Sequence, residues 1–372
     1  METAGAILTI DLGAIRRNYR TLQARLGPAE LASVVKADAY GLGMGRIAPA
    51  LAEEGCRTFF VATADEALAL RTLLPEADIH VFNGVQRGEE AELAAHGILP
   101  VLNSLEQIEL WREHALMRRR PLPADLHIDT GMSRLGLDAF EQKRLLARPD
   151  HLRGIDLDVI VSHLAVAEEP ANPMNESQRA AFAEVAGGLP GRRRSLVNSS
   201  GIFLGPSFHF DLARSGVALY GVNPIPWSPN PMAQVLRFQG RILQVRFVDT
   251  YRSVGYGATH RASRPSRIAT VAIGYADGYP LSLSNVGIAY IDDHEVPVVG
   301  RVSMDLTTLD VTDLPDGLAV AGRLVDFVGP HNPVDSVAGR ADTIPYTILT
   351  GFGRRVRRVY LDPALNQDSG QA

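Results

Sequence analysis

The sequence predicts an α/β chain in two parts, a (β/α)8 TIM-type barrel followed by a C-terminal mainly-β domain. Three observations carry this. Short apolar runs alternate with amphipathic segments of helical period as far as residue 213, eight such runs occur, and past residue 233 helical periodicity gives way to alternating and β-branched stretches. Alternating strand and helix argues for a parallel sheet, and eight units argue for closure, with an open doubly wound sheet as the alternative. At 372 residues the chain exceeds what one hydrophobic core usually supports, which fits two domains.

Taken in order, residues 6–10 read as a strand that joins the second domain, so the expected division is 1–10, 11–233 and 234–372. Asp11 is placed to cap a helix whose apolar stripe is Ile15, Tyr19, Leu22 and Leu26, ending at Gly27-Pro28. Barrel strands are expected at 31–35, 58–62, 79–82, 98–102, 125–128, 158–161, 195–197 and 211–213. Helices are expected at 65–74, 88–96, 104–117, 138–146 and 175–185. A linker rich in proline and asparagine follows at 224–231, then β segments at 235–248, 267–273, 287–291, 297–309 and 324–328, and a polar tail from Asn366 expected to fray.

Barrel enzymes carry their chemistry at the C-terminal ends of strands. Lys36, Asn83, Asp129 with Arg134, His163, Asn198 with Ser199, and Arg214 each follow an apolar run. A single strand-end polar residue usually only caps a loop, so their shared placement carries the argument. Lys36 stands out within Val34-Val35-Lys36-Ala37-Asp38-Ala39-Tyr40-Gly41. A lysine at the end of a buried strand loses hydration, which eases deprotonation and makes the amine a better nucleophile toward an aldehyde. The competing fate is a lysine that snorkels to water.

A net charge of −5 gives no field that would recruit nucleic acid or an anionic membrane, which leaves a small molecule as the expected partner. Cys56 is the single cysteine, which excludes an internal disulfide and a cysteine-rich metal site; no metal is expected. Residues 1–16 lack the pattern of a secretory leader and no apolar run spans a bilayer, so the expected location is the cytoplasm.

With these motifs in hand the chain resembles the alanine racemase family, pyridoxal phosphate (PLP) enzymes of fold type III. The resemblance runs nearly end to end: the Lys36 motif, Ile128-Asp129-Thr130-Gly131-Met132 with Arg134-Leu135-Gly136, Ser162-His163-Leu164, Asn198-Ser199, 214–221, Val254-Gly255-Tyr256-Gly257, 273–280, 300–305 and Pro345-Tyr346. The resemblance implies that Lys36 holds PLP as an imine. It also implies that Tyr40, Ser199, Gly216, Val217 and Tyr346 bind the phosphate, and that Arg214 faces the pyridine nitrogen beside His163. It implies interconversion of L- and D-alanine by two bases on opposite faces, Lys36 for the proton of D-alanine and Tyr256 for that of L-alanine. A phenol with an ordinary pKa near ~10 needs a cationic neighbour to act at neutral pH, and His163 is the expected one. The family pattern further implies a homodimer with shared active sites, in which Tyr256, Met304 and Asp305 come from the partner. Arg134 would contact the substrate carboxylate, and Tyr275 and Arg301 would line a corridor that admits alanine and serine. The role would be supply of D-alanine for peptidoglycan or catabolism of alanine. A related racemase of broader specificity, a barrel-type amino-acid decarboxylase and a non-catalytic PLP-binding protein are the alternatives.

Two positions depart from the family pattern. His127 stands where many members carry a lysine modified to a carbamate that holds the substrate-binding arginine, so Arg134 is expected to find a halide or a nearby carboxylate instead. Leu281 replaces a common arginine, which is expected to loosen the entrance and widen the substrate range.

Overall fold

A computed structural model describes residues 4–362; residues 1–3 and the polar tail from Asn366 lie outside them. The chain begins with β1 (Ala6–Asp11), a strand of the β-rich unit described below, and α1 (Leu12–Leu26), whose first turn Asp11 caps by accepting the Ala14 N–H at 2.9 Å. The chain then runs β2 (Glu30–Val34), a turn α2 (Lys36–Tyr40), α3 (Met44–Glu53), β3 (Thr58–Val61), α4 (Ala64–Leu73), β4 (Asp78–Val81), α5 (Glu90–Ala95), β5 (Leu99–Leu102) and α6 (Leu105–Arg118). It continues with β6 (Leu122–His127), α7 (Ala139–Ala147), β7 (Ile155–Val161), α8 (Pro173–Gly187), β8 (Arg193–Ser195) and β9 (Leu212–Ser215).

Strands β2 to β9 form an eight-stranded parallel sheet in the order β8-β7-β6-β5-β4-β3-β2-β9. The two outermost strands meet through Asp211 N–H to the Arg194 carbonyl and Arg214 N–H to the Val197 carbonyl, each 3.0 Å, so the sheet closes into a nearly complete barrel. This is the closed alternative of the two that alternation allowed, not the doubly wound sheet.

The barrel interior is unusually polar. Ser33, Thr58, His80, Asp125, Ser195 and Ser215 are fully buried. Buried polar groups need partners: His80 Nδ1 lies 2.6 Å from Asp125 Oδ2, and Arg193 bonds both Glu30 and Asp158. His80, Asp125 and Asp158 approach one another closely enough to interest a cation, but the Arg193 guanidinium already supplies the positive charge there.

The turn α2 is left-handed. Ala37, Asp38, Ala39 and Tyr40 have φ of 53°, 54°, 53° and 57°, a conformation that costs an L-residue about 1–2 kcal/mol each. Hydrogen bonds from Gly41 N–H to the Ala37 carbonyl at 2.7 Å and from Gly43 N–H to the Asp38 carbonyl at 2.9 Å run inside it. The sequence reading missed both this turn and α3, which contains Pro49 and whose start is hidden behind the turn.

The other compact unit comprises the described residues up to Ala14, Tyr220–Val222 and those from Gln234 on. Its strands are β10 (Leu236–Val248), β11 (Ser253–Val254), β12 (His260–Arg261), β13 (Ser266–Val271), β14 (Ile288–Ile291), β15 (His294–Pro297), β16 (Thr307–Asp310) and β17 (Leu324–Val328). Helices α9 (Val334–Arg340) and α10 (Pro345–Thr350) and strand β18 (Arg357–Leu361) complete it. The main sheet runs β15-β14-β17-β10-β1-β18, with β1 antiparallel to β10 and parallel to β18. A register break between Ile242 and Gln244 lets the long β10 leave β17 and continue against β13. The stretch expected as one strand at 297–309 folds back on itself: its first residues end β15 and meet its last residues, in β16, while a loop fills the middle. Among the described residues no helix is long and apolar enough to cross a membrane.

Candidate active site

The C-terminal ends of the barrel strands enclose a cavity of about 260 Å³ lined by Lys36, Phe82, Asn83, His127, Arg134, His163 and Arg214, among others, with no carboxylate in its wall. The Lys36 amine stands 5.6 Å from the centre of the Phe82 ring. Burial, and next the charge of Arg134, lowers its pKa, while Glu66 opposes the shift. The Arg214 guanidinium lies within β9, not past it as the sequence placed it. It is buried and donates to the carbonyls of Ser195, Ser162 and Leu196 and to the Ser195 hydroxyl, which leaves its Nε–H without an acceptor among the described residues. Burial brings its pKa down to about 10, so it remains a cation at neutral pH.

One expectation fails here. His163 was to be the cation that activates a phenol, but burial and the charge of Arg214 push its pKa down to about 3, so the imidazole is neutral. The guanidiniums of the cavity, Arg214 and Arg134, are its permanent cations. His127 is neutral for the same reasons, with its pKa down to about 4, and its Nδ1 lies 2.7 Å from Asn103 Oδ1. The carboxylate expected as a partner of Arg134 is also absent among the described residues. The two flanking candidates are both committed elsewhere: Asp129 accepts the N–H groups of Gly131, Met132 and Ser133, and Asp138 accepts those of Phe140 and Glu141. Asp129 and Asn198, which accepts the Gly201 N–H at 2.9 Å, are thus loop caps.

At one rim of the barrel lies a cradle of donors. Gly216 N–H donates to Ser199 Oγ at 3.0 Å, Ala218 N–H approaches the same oxygen at 3.3 Å, and Val217 opens a 3-10 turn. A Cβ on Gly216 would lie 2.2 Å from the Tyr40 hydroxyl, so only glycine lets that phenol reach the cradle. Hydroxyls and a helical N-terminus gathered in this way suit a phosphate.

The remaining candidates belong to the other unit. Tyr256 follows Gly255, whose φ is 77°, on the hairpin of β11 and β12; it is 71% exposed and its hydroxyl has no hydrogen bond among the described residues. It lines, with Arg301 and Ser303, an open groove of about 630 Å³. Tyr275 is held by its N–H to the Ser303 carbonyl at 3.0 Å, and Ala276 N–H reaches the Met304 carbonyl at 3.0 Å, which ties the Tyr275 turn to the Met304–Asp305 loop. Arg355 bridges Asp277 and Asp305 at 2.7 Å each. Tyr346 is partly exposed near the start of α10.

The sequence reading did not single out Glu66 or Phe82. Glu66 was legible only as the fourth residue of a helix cap with Thr63, a signal that announces a helix and no chemistry.

A (β/α)8 barrel whose strand ends gather one amine, two guanidiniums and a hydroxyl-lined cradle defines an enzyme barrel built to hold an anion beside a nucleophilic amine. The family models described as alanine racemase, N-terminal domain, and alanine racemase, C-terminal domain, match residues 10–224 and 235–360. An alanine racemase of Rhodospirillum rubrum is 50% identical over 372 residues, covering 100% of this chain and 99% of the relative. The crystal structure of alanine racemase from Bartonella henselae with covalently bound pyridoxal phosphate superposes with a TM-score of 0.93 at 45% identity, covering 96% of this chain and 100% of that one. The biosynthetic alanine racemase of Pseudomonas aeruginosa gives 0.89 at 33% identity over 97% and 100%. The chain belongs to the alanine racemase family.

Proposed function

We propose that this chain is a PLP-dependent alanine racemase in which Lys36 and Tyr256 exchange the α-proton of alanine on opposite faces. The observation that carries the reading is the Lys36 amine in a carboxylate-free cavity, with the Tyr40–Ser199–Gly216 cradle elsewhere on the same barrel. The chain has two lysines, and the other, Lys143, is exposed on α7, so a carbonyl cofactor in this cavity has one amine to join.

The residues present fit PLP. Tyr40, Ser199 and the N–H groups at Gly216 and Val217, with Tyr346, would hold its phosphate, Lys36 would carry it, and the free Arg214 Nε–H would face its ring nitrogen, with neutral His163 beside that guanidinium. When bound, PLP supplies an electron sink that acidifies the α-carbon of an attached amino acid. The protein's part is to hold and move protons. The Lys36 amine, made less basic by burial and Arg134, would take or return the α-proton on one face. Tyr256, exposed and unbonded on its hairpin, serves the other face. Two faces need two groups, because a single base returns a proton to the side it came from. We read Tyr256, Met304 and Asp305 as contributions of a partner chain in a homodimer, and the open groove around Tyr256 fits a surface that another chain covers. Arg134 would bind the substrate carboxylate, and Tyr275 and Arg301 would line the entrance. Leu281, 42% exposed in place of a charged side chain, fits a range that extends to serine. A cytoplasmic location goes with this reading. Its product, D-alanine, suits either peptidoglycan supply or alanine catabolism.

Incubation with L-alanine tests the function: loss of optical rotation without gas is expected, whereas release of carbon dioxide or no change would overturn it. The Arg214 reading has its own test. Because an arginine cannot lend a proton to the ring nitrogen, it should restrain protonation at the cofactor carbon. Arg214→Glu is expected to increase transamination per racemisation event, read as pyruvate formed per alanine inverted; an unchanged ratio sinks the idea. The variant also leaves the Ser195, Ser162 and Leu196 carbonyls without their donor, so a lower melting temperature should accompany it, which the ratio does not sense.

Arg134 makes no hydrogen bond or ion pair among the described residues, which favours a halide as the anion that replaces a carbamate beside His127. Crystals soaked in bromide should show an anomalous peak beside the Arg134 guanidinium. An empty map there would reject the halide.

A further inference from the structure

Four successive non-glycine residues in left-handed conformation, 37–40, need bracing from outside the turn. Two carboxylates provide it. At the exit, Asp38 Oδ1 accepts the Met44 N–H at 2.7 Å. At the entry, one oxygen of Glu66 on α4 accepts the Ala37 N–H at 2.6 Å, and the other accepts the Ala62 N–H, just past β3, at 2.8 Å. The capping bonds within its own helix start, Thr63 N–H to Glu66 and Glu66 N–H to Thr63, are both 3.4 Å. Glu66 therefore makes its short, charge-assisted bonds to the neighbouring strand ends, not to the helix it begins.

We propose that Glu66 is the positioning residue of the Lys36 amine: it staples the left-handed turn to the end of β3 and sets a negative charge beside the amine, fixing the pH at which Lys36 loses its proton. The proposal rests on the reading of Lys36 as the cofactor-bearing base. The other groups facing Lys36 leave Glu66 this part. Arg134, in the loop after β6, and Arg214, in β9, are cations; His127 in β6 and His163 after β7 are neutral; Phe82 after β4 offers a ring face. Asp38, in the turn itself, is committed to Met44. Of the groups that shift Lys36, burial and Arg134 favour the neutral amine, and Glu66 is the carboxylate that opposes them. Without it the amine would be neutral at lower pH and would hold a proton less well once it had accepted one.

The test follows acetylation of Lys36 by acetic anhydride against pH, by mass spectrometry, in the full-length chain stripped of cofactor, with exposed Lys143 as the internal reference. Glu66→Gln, which keeps the size and one acceptor, should move the Lys36 midpoint toward acid by about half a unit or more, which is about threefold faster acetylation below the midpoint. A midpoint equal to that of the unmodified chain overturns the proposal, since loss of a merely structural brace would lower the melting temperature and leave the titration in place. Should the glutamine variant not fold, Glu66→Asp, which withdraws the carboxylate by one methylene, carries the test: a smaller shift in the same direction supports the proposal and no shift overturns it. The reading beneath is tested separately, by borohydride reduction of the cofactor-loaded chain and peptide mapping. Label on Lys143 would remove Lys36 from its role while leaving its titration measurable.

Discussion

Replacing Lys36 with alanine is expected to lower alanine racemisation about ten-thousand-fold or more, because it removes both the amine that would carry the cofactor and one of two proton-transfer groups. Borohydride should then fix no cofactor to the chain, since the other lysine, Lys143, lies exposed on α7. The cradle of Tyr40, Ser199 and Gly216 is untouched, so the variant should still bind PLP reversibly, which dialysis followed by absorbance would show. Normal racemisation by this variant would bring down the whole reading. A second readout comes from linkage. The folded state lowers the Lys36 pKa below its unfolded value, so the protonated amine is a cost at neutral pH that fades as pH rises toward the ordinary lysine range, near ~10.4. Lys36→Met, which keeps the volume, should therefore gain melting temperature in the cofactor-free chain at pH 7 and lose that gain toward pH 10. A gain that does not change with pH would mean the lysine is not desolvated.

The second large effect is expected from Tyr256→Phe, about a hundred- to ten-thousand-fold loss in racemisation, the usual range for removing a general acid–base group. The hydroxyl is exposed and makes no hydrogen bond among the described residues, so stability should stay within about 0.5 kcal/mol of the unmodified chain. The telling measurement is exchange of the α-proton with heavy water. With Lys36 intact, D-alanine should still wash its proton into solvent while L-alanine nearly stops. Equal slowing of both enantiomers would argue against two groups on two faces.

How much of this could be read from the chain varies by element. The eight barrel runs were legible because each is a short apolar segment bounded by turn residues, and β3, β4 and β5 begin and end within a residue or so of where patterning puts them. Arg214 was misplaced because a lone cation at the end of an apolar run reads as a loop residue. The carbonyls of Ser162, Ser195 and Leu196, with the Ser195 hydroxyl, offset the cost of holding it inside the barrel. His163 was legible as a site residue but not in its protonation state, which depends on burial and on Arg214, a residue 51 positions further along. The left-handed turn left no mark at all, since nothing in Ala37-Asp38-Ala39 announces positive φ, and its brace Glu66 read as an ordinary helix cap.

By itself the sequence determined the alternation that closes a barrel, the resemblance that names the family, and the identity of Lys36 and Tyr256 as the groups to watch. These are local or linear properties, fixed by period, motif and residue type. The tertiary structure alone decided the direction in which His163 and Lys36 are biased and the left-handed turn around Lys36. Charge state and strain depend on what distant segments bring alongside: Arg134 and Glu66 to Lys36, Arg214 to His163, and Gly216 to Tyr40.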